Sequence, residues 1–168
     1  MVDDQAWRIE IKKYPRLTEV SSSRVGMDDM QIPVSGYYTQ DQMRELVAYA
    51  AKYHVQIIPE IEMPGHEVAA IHAYPELTCH AKKVPIRTTC GVSNELLCPG
   101  NEFTYEFLGN VFNELSSVFT SPYVHLGGDE AGMPALDCWT SCPKCQDLKK
   151  KLGITTTCLL YTSPSPRD

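Results

Sequence analysis

The chain lacks an excess of positive charge, since its 168 residues carry 15 lysines and arginines against 21 aspartates and glutamates, a net charge of −6. It also lacks any apolar run near the roughly 20 residues that span a bilayer, and its acidic first residues lack the apolar segment of a signal peptide. These absences argue against a nucleic-acid-binding or membrane-spanning protein, and we expect any export signal to lie outside this chain. What is present, 43% apolar residues, is enough for a core and excludes disorder, collagen-like repeats and a coiled coil.

Hydrophobic periodicity predicts an alternation of helices and short apolar strands. Thr39 and Gln42 form a capping box, which predicts a helix that begins there and ends near His54. A buried strand is expected at 55–61, a helix at 102–119 and a strand at 123–126. The last predicted helix covers 144–152 and is closed by Gly153. This pattern is typical of a parallel sheet covered by helices. In (β/α) barrels the groups that do chemistry lie where strands end, and the acidic motifs of this chain lie there.

The sharpest motif follows the predicted strand at 123–126 and reads His125-Leu-Gly-Gly-Asp129-Glu130. Adjacent carboxylates raise each other's pKa and are costly to hold together. Two carboxyls in unlike environments can divide the work, one staying ionised while the other is kept protonated as a general acid. Taken alone, the motif is as consistent with a surface acidic pair as with a catalytic one.

Two further acidic clusters accompany it. Glu60 and Glu62 alternate along the strand at 55–61 and so share one face, and the Pro-Gly turn after them lets His66 project over the end of the strand. Asp3 and Asp4 precede an alternating apolar segment. Each cluster alone has an ordinary explanation, a structural turn residue or an exposed acidic terminus, but three such clusters at strand ends favour a functional site.

The last eleven residues, 158–168, read CLLYTSPSPRD and continue no periodicity of the chain. The string matches the translated end of a transposase-type sequencing adaptor. We therefore interpret 158–168 as a non-native tail and 1–157 as the native part of the chain.

Six cysteines remain in 1–157, at positions 79, 90, 98, 138, 142 and 145. That is many for a reducing cytosol, so we expect an exported protein in a periplasmic, extracellular or lysosome-like compartment. Cys142-Pro-Lys-Cys145 is typical of half a zinc site, but no second Cys-x-x-Cys supplies the other half. The sequence therefore favours free thiols or disulfides, with Cys79, Cys90 and Cys98 able to cross-link one loop, and we expect no metal and no cofactor.

Five ordered motifs give the chain a specific resemblance. They are Asp-Asp-Gln-Ala-Trp-Arg-Ile-Glu-Ile-Lys-Lys-Tyr-Pro (3–15), Gly-Tyr-Tyr-Thr-Gln (36–40), Pro-Glu-Ile-Glu-Met-Pro-Gly-His (59–66), Ala-Tyr-Pro-Glu-Leu (73–77) and His-Leu-Gly-Gly-Asp-Glu (125–130), followed by Trp139-x-x-Cys-Pro-Lys-Cys-Gln. Over essentially all of 1–157 the chain resembles the β-N-acetylhexosaminidases of glycoside hydrolase family 20.

The resemblance implies a retaining mechanism in which the 2-acetamido oxygen of the substrate is the nucleophile. It implies that Asp129 orients the acetamido group and that Glu130 is the general acid and base. His66 with Asp3, favoured over Asp4, matches the supporting Asp-His pair of the family. Glu62 stands where many relatives carry Asp, and Trp139 is a candidate to stack on a sugar ring.

The implied partner is an oligosaccharide or glycoconjugate with a terminal N-acetylhexosamine, GlcNAc or GalNAc. Two alternatives stay open, a family member that releases a disaccharide and a non-catalytic carbohydrate- or zinc-binding module. A closed eight-stranded barrel takes roughly 250 residues, so we expect this chain to be a fragment of one, from just after the second strand through the helix after the fourth. Alone, such a piece is expected to be poorly soluble and inactive.

Overall fold

A computed structural model of the chain describes residues 2–26, 32–128, 130–131 and 137–157. The expected adaptor-derived tail at 158–168 lies outside these residues. Among the residues described, no helix is both long enough and apolar enough to cross a membrane.

Short antiparallel pairs organise the N-terminal part of the chain. Strand β1 (Val2–Asp3) pairs with β2 (Ala6–Trp7), and helix α1 (Arg16–Glu19) follows. Strand β3 (Ser23–Arg24) pairs with β4 (Val34–Ser35). The β1–β2 turn places Asp3 and Asp4 at one edge of the fold.

Helix α2 (Gln40–Ala51) confirms the helix predicted from the capping box. The Thr39 hydroxyl accepts the backbone N–H of Gln42 at 3.2 Å, and the Gln42 side chain accepts the backbone N–H of Thr39 at 2.9 Å. Both bonds satisfy donors that have no partner within the helix.

The remaining helices are α3 (Val68–Ala73), a 3₁₀ turn (Pro75–Leu77), α4 (Glu102–Ser116), α5 (Asp137–Ser141) and α6 (Pro143–Lys151). The sequence predicted α4 and α6 to within a few residues and missed the shorter α1, α3 and α5. After α6, Gly153 adopts φ 66°, the left-handed conformation expected of a glycine that ends a helix.

The segments predicted as strands at 55–61 and 123–126 run parallel and adjacent, but they form only an isolated bridge between Glu60 and His125 and are not regular strands among the described residues. A second parallel bridge joins Ile9 and Tyr38. The expected burial of the strands is wrong for four apolar residues, which are exposed: Val55, Ile58, Val124 and Leu126. They are exposed because no other described strand covers these two segments.

The larger core lies under α3 and α4. Phe107, Val111 and Leu115, the predicted apolar stripe of α4, are buried against Trp7 and Ile9 from the N-terminal segment. The Trp7 and Phe107 rings meet edge to face with centroids 6.3 Å apart. Each such side chain contributes about 1.5–3 kcal/mol when fully buried, so this core fixes the N-terminal acidic turn relative to the helices.

A smaller, second core cluster lies at the start of α6. Its buried members are Leu96, Cys98, Ala131, Trp139, Cys142 and Cys145. Ala131 directly follows Glu130 in the chain, so this cluster holds the residue next to the predicted acid.

Candidate active site

The ends of two parallel strands bring the acidic motifs together. The backbone N–H of His125 donates to Pro59 O at 2.9 Å, that of Ile61 to His125 O at 3.1 Å, and that of Met63 to Leu126 O at 3.0 Å. In this register both segments end at the same edge, so the Glu60-to-His66 motif and the Gly127-to-Glu130 motif leave the strands side by side.

His66 lies between two carboxylates. Its Nδ1 is 3.2 Å from Asp3 Oδ1 and its Nε2 is 3.1 Å from Glu130 Oε2. A neutral imidazole can donate to only one of these acceptors, whereas the protonated ring donates to both. The arrangement therefore joins Asp3, from the β1–β2 turn, to Glu130 through one ring.

The surroundings of His66 favour its protonated form. Burial lowers the pKa of His66, but the hydrogen bond to Asp3 and the negative charges of Asp4, Asp3 and Glu62 outweigh it, so the net pKa is raised above the ordinary 6.5. A positively charged ring donates to Glu130 and holds the orientation of that carboxyl. The Glu130 side chain itself is 52% exposed, so it remains accessible to a substrate.

Asp4 has a different role from its neighbour. Asp4 is buried, its Oδ1 accepts the backbone N–H of Val68 at 3.3 Å, and its Oδ2 lies 3.5 Å from Arg87 Nη1. Burial raises the pKa of Asp4. The sequence favoured Asp3 as the partner of His66, and the structure places Asp3 on the ring and Asp4 at the first residue of α3.

Glu62 holds the glycine turn that precedes Glu130. It is buried, and its Oε1 accepts the backbone N–H of Gly128 at 3.1 Å. Gly127 has φ 65°, and a Cβ at that position would overlap the Glu62 carboxylate. Residue 127 must therefore be glycine both for its backbone conformation and for the space that Glu62 occupies.

Glu60 differs from Glu62 in its environment, although the alternation of the strand predicts a common face. Its side chain is exposed and its Oε2 lies 2.7 Å from His125 Nδ1. This pair joins the outer sides of the two strands and does not contact His66 in the described structure.

The backbone is strained at both ends of the central contact. His66 and Glu130 each have φ 55°, the left-handed region that side chains disfavour. Holding such a residue there costs about 1–2 kcal/mol. Conformations of this kind cluster at functional sites, where the surrounding packing enforces them, and these two residues are the ones in contact.

Asp129, a predicted catalytic residue, lies outside the residues that the structure describes. For Trp139 the structure contradicts the predicted stacking on a sugar ring. Its side chain is 0% exposed and its indole N–H donates to Leu97 O at 3.0 Å in the second core cluster. A ring buried on both faces offers no surface to a sugar, so Trp139 supports the fold and does not stack on substrate here.

The sequence analysis missed Glu67. The residue is fully buried, and neither of its carboxylate oxygens has a hydrogen-bond partner among the residues described. Burial raises its pKa well above the ordinary 4.5, and the charges of Asp4 and Glu62 raise it further. An acid kept neutral beside His66 limits the negative charge of the site, and its only sequence signal was adjacency to that histidine.

Among the residues that the structure describes, two groups of side chains have ligand atoms close enough to hold a metal ion. One is Asp3, Asp4 and His66, the group just described; the other is Cys79, Cys98, Cys142 and Cys145. The sequence shows no second Cys-x-x-Cys to complete the Cys142–Cys145 pair, and the structure supplies the two other thiols, Cys79 and Cys98, from distant positions. The described cysteines are all free thiols, so of the two alternatives left open by the sequence, free thiols or disulfides, the structure has free thiols.

Chemically, the first site is a carboxyl group presented to solvent and oriented by a charged imidazole that a second carboxylate holds in place. Such an arrangement suits a group that donates and then accepts a proton. The neighbouring buried acids Asp4, Glu62 and Glu67 fix the backbone and the charge around it.

Comparisons with known proteins agree with this geometry. A model of the glycosyl hydrolase family 20 catalytic domain matches residues 1–162. The beta-hexosaminidase of Porphyromonas gingivalis is 44% identical over 154 residues, which are 92% of this chain and 19% of that protein. The beta-hexosaminidase of Akkermansia muciniphila is 43% identical over 155 residues, 92% of this chain and 31% of that protein.

Solved structures resemble the chain as closely. A beta-N-acetylhexosaminidase crystal structure superposes with a TM-score of 0.87 at 42% identity, covering 92% of this chain and 33% of that one. An exo beta-N-acetylglucosaminidase from Vibrio harveyi, solved with N-acetylglucosamine, gives a TM-score of 0.79 at 34% identity, with 95% and 26% covered.

The chain thus spans between 19% and 33% of the length of these relatives. It adopts a part of their barrel domain, with the mixed helices and short strands described above. From the family model, the relatives and the superposed structures together, this chain belongs to glycosyl hydrolase family 20.

Proposed function

We propose that the whole protein is a β-N-acetylhexosaminidase that removes terminal N-acetylhexosamine residues from oligosaccharides or glycoconjugates. The observation that carries the proposal is the contact of Glu130 with His66, itself held by Asp3. It places an accessible carboxyl, with a fixed orientation, at the end of two parallel strands. The names of the relatives at 44% and 43% identity support the same activity.

In the proposed reaction the acetamido oxygen of the substrate attacks the anomeric carbon while the bond to the leaving oxygen breaks. Glu130 gives its proton to that leaving oxygen, and the sugar becomes an oxazolinium ion. Glu130 then takes a proton from water as the water oxygen attacks the same carbon and restores the acetamido group. The configuration at the anomeric carbon is retained, because each of the two displacements at that carbon inverts it.

His66 and Asp3 act through Glu130 in this scheme. The protonated ring fixes one carboxyl oxygen of Glu130, which leaves the other to carry the proton that is transferred. Asp129, adjacent in sequence, is proposed to orient the acetamido group and to stabilise the positive charge that develops on it. Glu62 holds the glycine turn that precedes Glu130 through its hydrogen bond to the Gly128 N–H.

We also propose that the chain contributes the barrel segment from after the second strand through the helix after the fourth. Two observations support this. The exposed apolar residues of the paired strands, Val55, Ile58, Val124 and Leu126, are the kind of surface that further strands of a barrel cover. The relatives extend well beyond the matched region.

The test is the Glu130→Gln variant of the full-length protein, assayed on a chromogenic N-acetylglucosaminide. Loss of positioned proton transfer should lower kcat by about 10²–10⁴-fold. Glu106→Gln, on the exposed face of α4, is the matched control and should keep the wild-type rate. A Glu130→Gln enzyme within a few-fold of wild type would overturn the acid and base assignment.

A second arm tests substrate assistance. Asp129→Asn should lose activity to a similar degree, and the wild-type enzyme should cleave the matching glucoside, which lacks the acetamido group, far more slowly. Equal rates on the two substrates would exclude the acetamido oxygen as nucleophile.

A further inference from the structure

Four cysteine side chains from three separate segments meet at the start of α6. Cys79 follows the 3₁₀ turn, Cys98 lies in the loop before α4, Cys142 directly precedes α6 and Cys145 lies in its first turn. The ligand atoms of all four lie within 4.8 Å of one another. This convergence is a property of the fold, since 66 residues separate Cys79 from Cys145 in the chain.

The sulfur separations match a metal tetrathiolate. Cys98 Sγ is 3.5 Å from Cys145 Sγ and 3.9 Å from Cys142 Sγ, and Cys79 Sγ is 3.6 Å from Cys145 Sγ. A tetrahedron with zinc–sulfur bonds of about 2.3 Å has sulfur–sulfur edges of about 3.8 Å. A disulfide instead needs a separation of about 2.05 Å.

Backbone groups surround the cluster. Cys142 is the residue that precedes α6 and Pro143 begins the helix, so Cys142 and Cys145 lie at the N-terminal end of α6, where the helix dipole is positive. The backbone N–H of Gly100 points at the sulfurs of Cys98 and Cys145. N–H groups placed around sulfur are the usual outer support of a metal site.

Close packing holds the loop before α4 against the helix. A Cβ at Gly100 would overlap the backbone of Lys144 and Cys145, so only glycine allows this approach. Cys98, Cys142 and Cys145 are buried together with Leu96, Ala131 and Trp139. Four protein ligands in an apolar pocket leave no position for a substrate, which is the arrangement of a structural site.

We propose that Cys79, Cys98, Cys142 and Cys145 bind one Zn²⁺ and that this site fastens the loop before α4 and the start of α6 to each other. The proposal does not rest on the glycosidase activity. Cys138, which also contacts the cluster, and Cys90, which is exposed, are not ligands.

The test measures metal in the full-length protein, expressed in zinc-supplemented medium and purified without metal-affinity resin. Elemental analysis by mass spectrometry should find one zinc ion per chain and no other metal in a comparable amount. Replacement by Co²⁺ should give the intense thiolate-to-metal absorption and visible bands of a tetrahedral sulfur site.

Single serine variants identify the ligands. Cys98→Ser and Cys145→Ser should lose zinc, while Cys90→Ser and Cys138→Ser, the matched controls, should keep it. Because a ligand variant can also fail to fold, a second measurement uses the wild-type protein. A thiol-specific mercurial should release one zinc as four thiols react, detected with a chromogenic chelator.

Three results would overturn the proposal. One is a folded wild-type protein with no bound metal, whether thiol counting finds disulfides or unmodified thiols. Another is full zinc content in both ligand variants. The third is zinc lost from Cys138→Ser and kept in a Cys79→Ser variant, which would assign the fourth ligand to Cys138.

Discussion

Gly127→Ala is the sharpest probe of how the acidic loop is held in place. The new Cβ would overlap the Glu62 carboxylate, and Gly127 has φ 65°. A left-handed backbone costs an alanine about 1–2 kcal/mol. Displacing Glu62 also breaks its hydrogen bond to the Gly128 N–H, a bond to a charged group worth about 1.5–3 kcal/mol. The two losses together amount to about 2.5–5 kcal/mol.

The matched control is Gly128→Ala. Gly128 also has a positive φ, 99°, but a Cβ there meets no atom within 4 Å. It should therefore show the backbone cost alone. If displacement of Glu62 is the larger part of the Gly127→Ala effect, the double variant Glu62→Ala, Gly127→Ala should lose less stability than the sum of the two single variants.

The assay is kcat/KM on a chromogenic N-acetylglucosaminide together with thermal unfolding, both on the full-length protein. A displacement of about 1 Å near the reacting group lowers the rate roughly 10²-fold, so Gly127→Ala should be about that much slower. Additive losses in the double variant, or equal effects of Gly127→Ala and Gly128→Ala, would refute the role assigned to Glu62.

Three further predictions test the raised pKa values of Glu67 and His66 and the structural role of Trp139. The pKa of Glu67 is raised in the folded state, so the free energy of unfolding should fall as pH rises from 4.5 toward that raised value. In pH-dependent denaturation, Glu67→Gln should flatten this dependence of stability on pH, and the control Glu106→Gln should not. Asp3→Asn removes the main group that raises the pKa of His66, so an NMR titration should give a lower pKa, and an unchanged one would contradict the contact. Trp139→Phe should lower the free energy of unfolding by about 1–3 kcal/mol with KM unchanged; a raised KM at unchanged stability would restore the stacking role.

Local signals predicted the parts of the fold that local interactions determine. The capping box at Thr39 and the apolar stripe of α4 are fixed by residues three and four apart, so the sequence alone located both helices. The predicted strand at 55–61 appears only as an extended segment with one bridge at Glu60, and its expected burial is wrong, because pairing and burial depend on which strands lie beside it. The short helix α3 has no cap signal of its own; Asp4, sixty-four residues away, supplies a hydrogen bond to its first residue.

The candidate site also contains some residues that the sequence predicted and others that it missed or misassigned. The resemblance to family 20 implied that Glu130, His66 and Asp3 act together, and in the structure His66 lies 3.2 Å from Asp3 and 3.1 Å from Glu130. Glu67 was missed because nothing in its neighbours predicts complete burial of an acid. Trp139 was misassigned because an aromatic residue after an acidic motif is typical both of a sugar platform and of a core.

The cysteines show what spacing cannot reveal. Cys142 and Cys145 were visible as half a site, and the sequence contains no second pair, because the other two thiols arrive singly from distant loops. The expectation of export rested on the number of cysteines. If four of them bind zinc, that number no longer distinguishes an oxidising compartment from a reducing one.

Ala131 connects the second core cluster to Glu130, the proposed proton donor. It is buried beside Trp139 and the cysteines, and a single peptide unit joins it to Glu130. If the proposed zinc site forms in the whole protein, thiol reagents such as peroxide or mercurials, and chelators that remove zinc, should shift Ala131 and so misalign the proposed proton donor without binding where substrate binds. Inhibition by them should not be relieved by added substrate, so a screen for inhibitors of the proposed hexosaminidase would also record compounds that act only on the thiols.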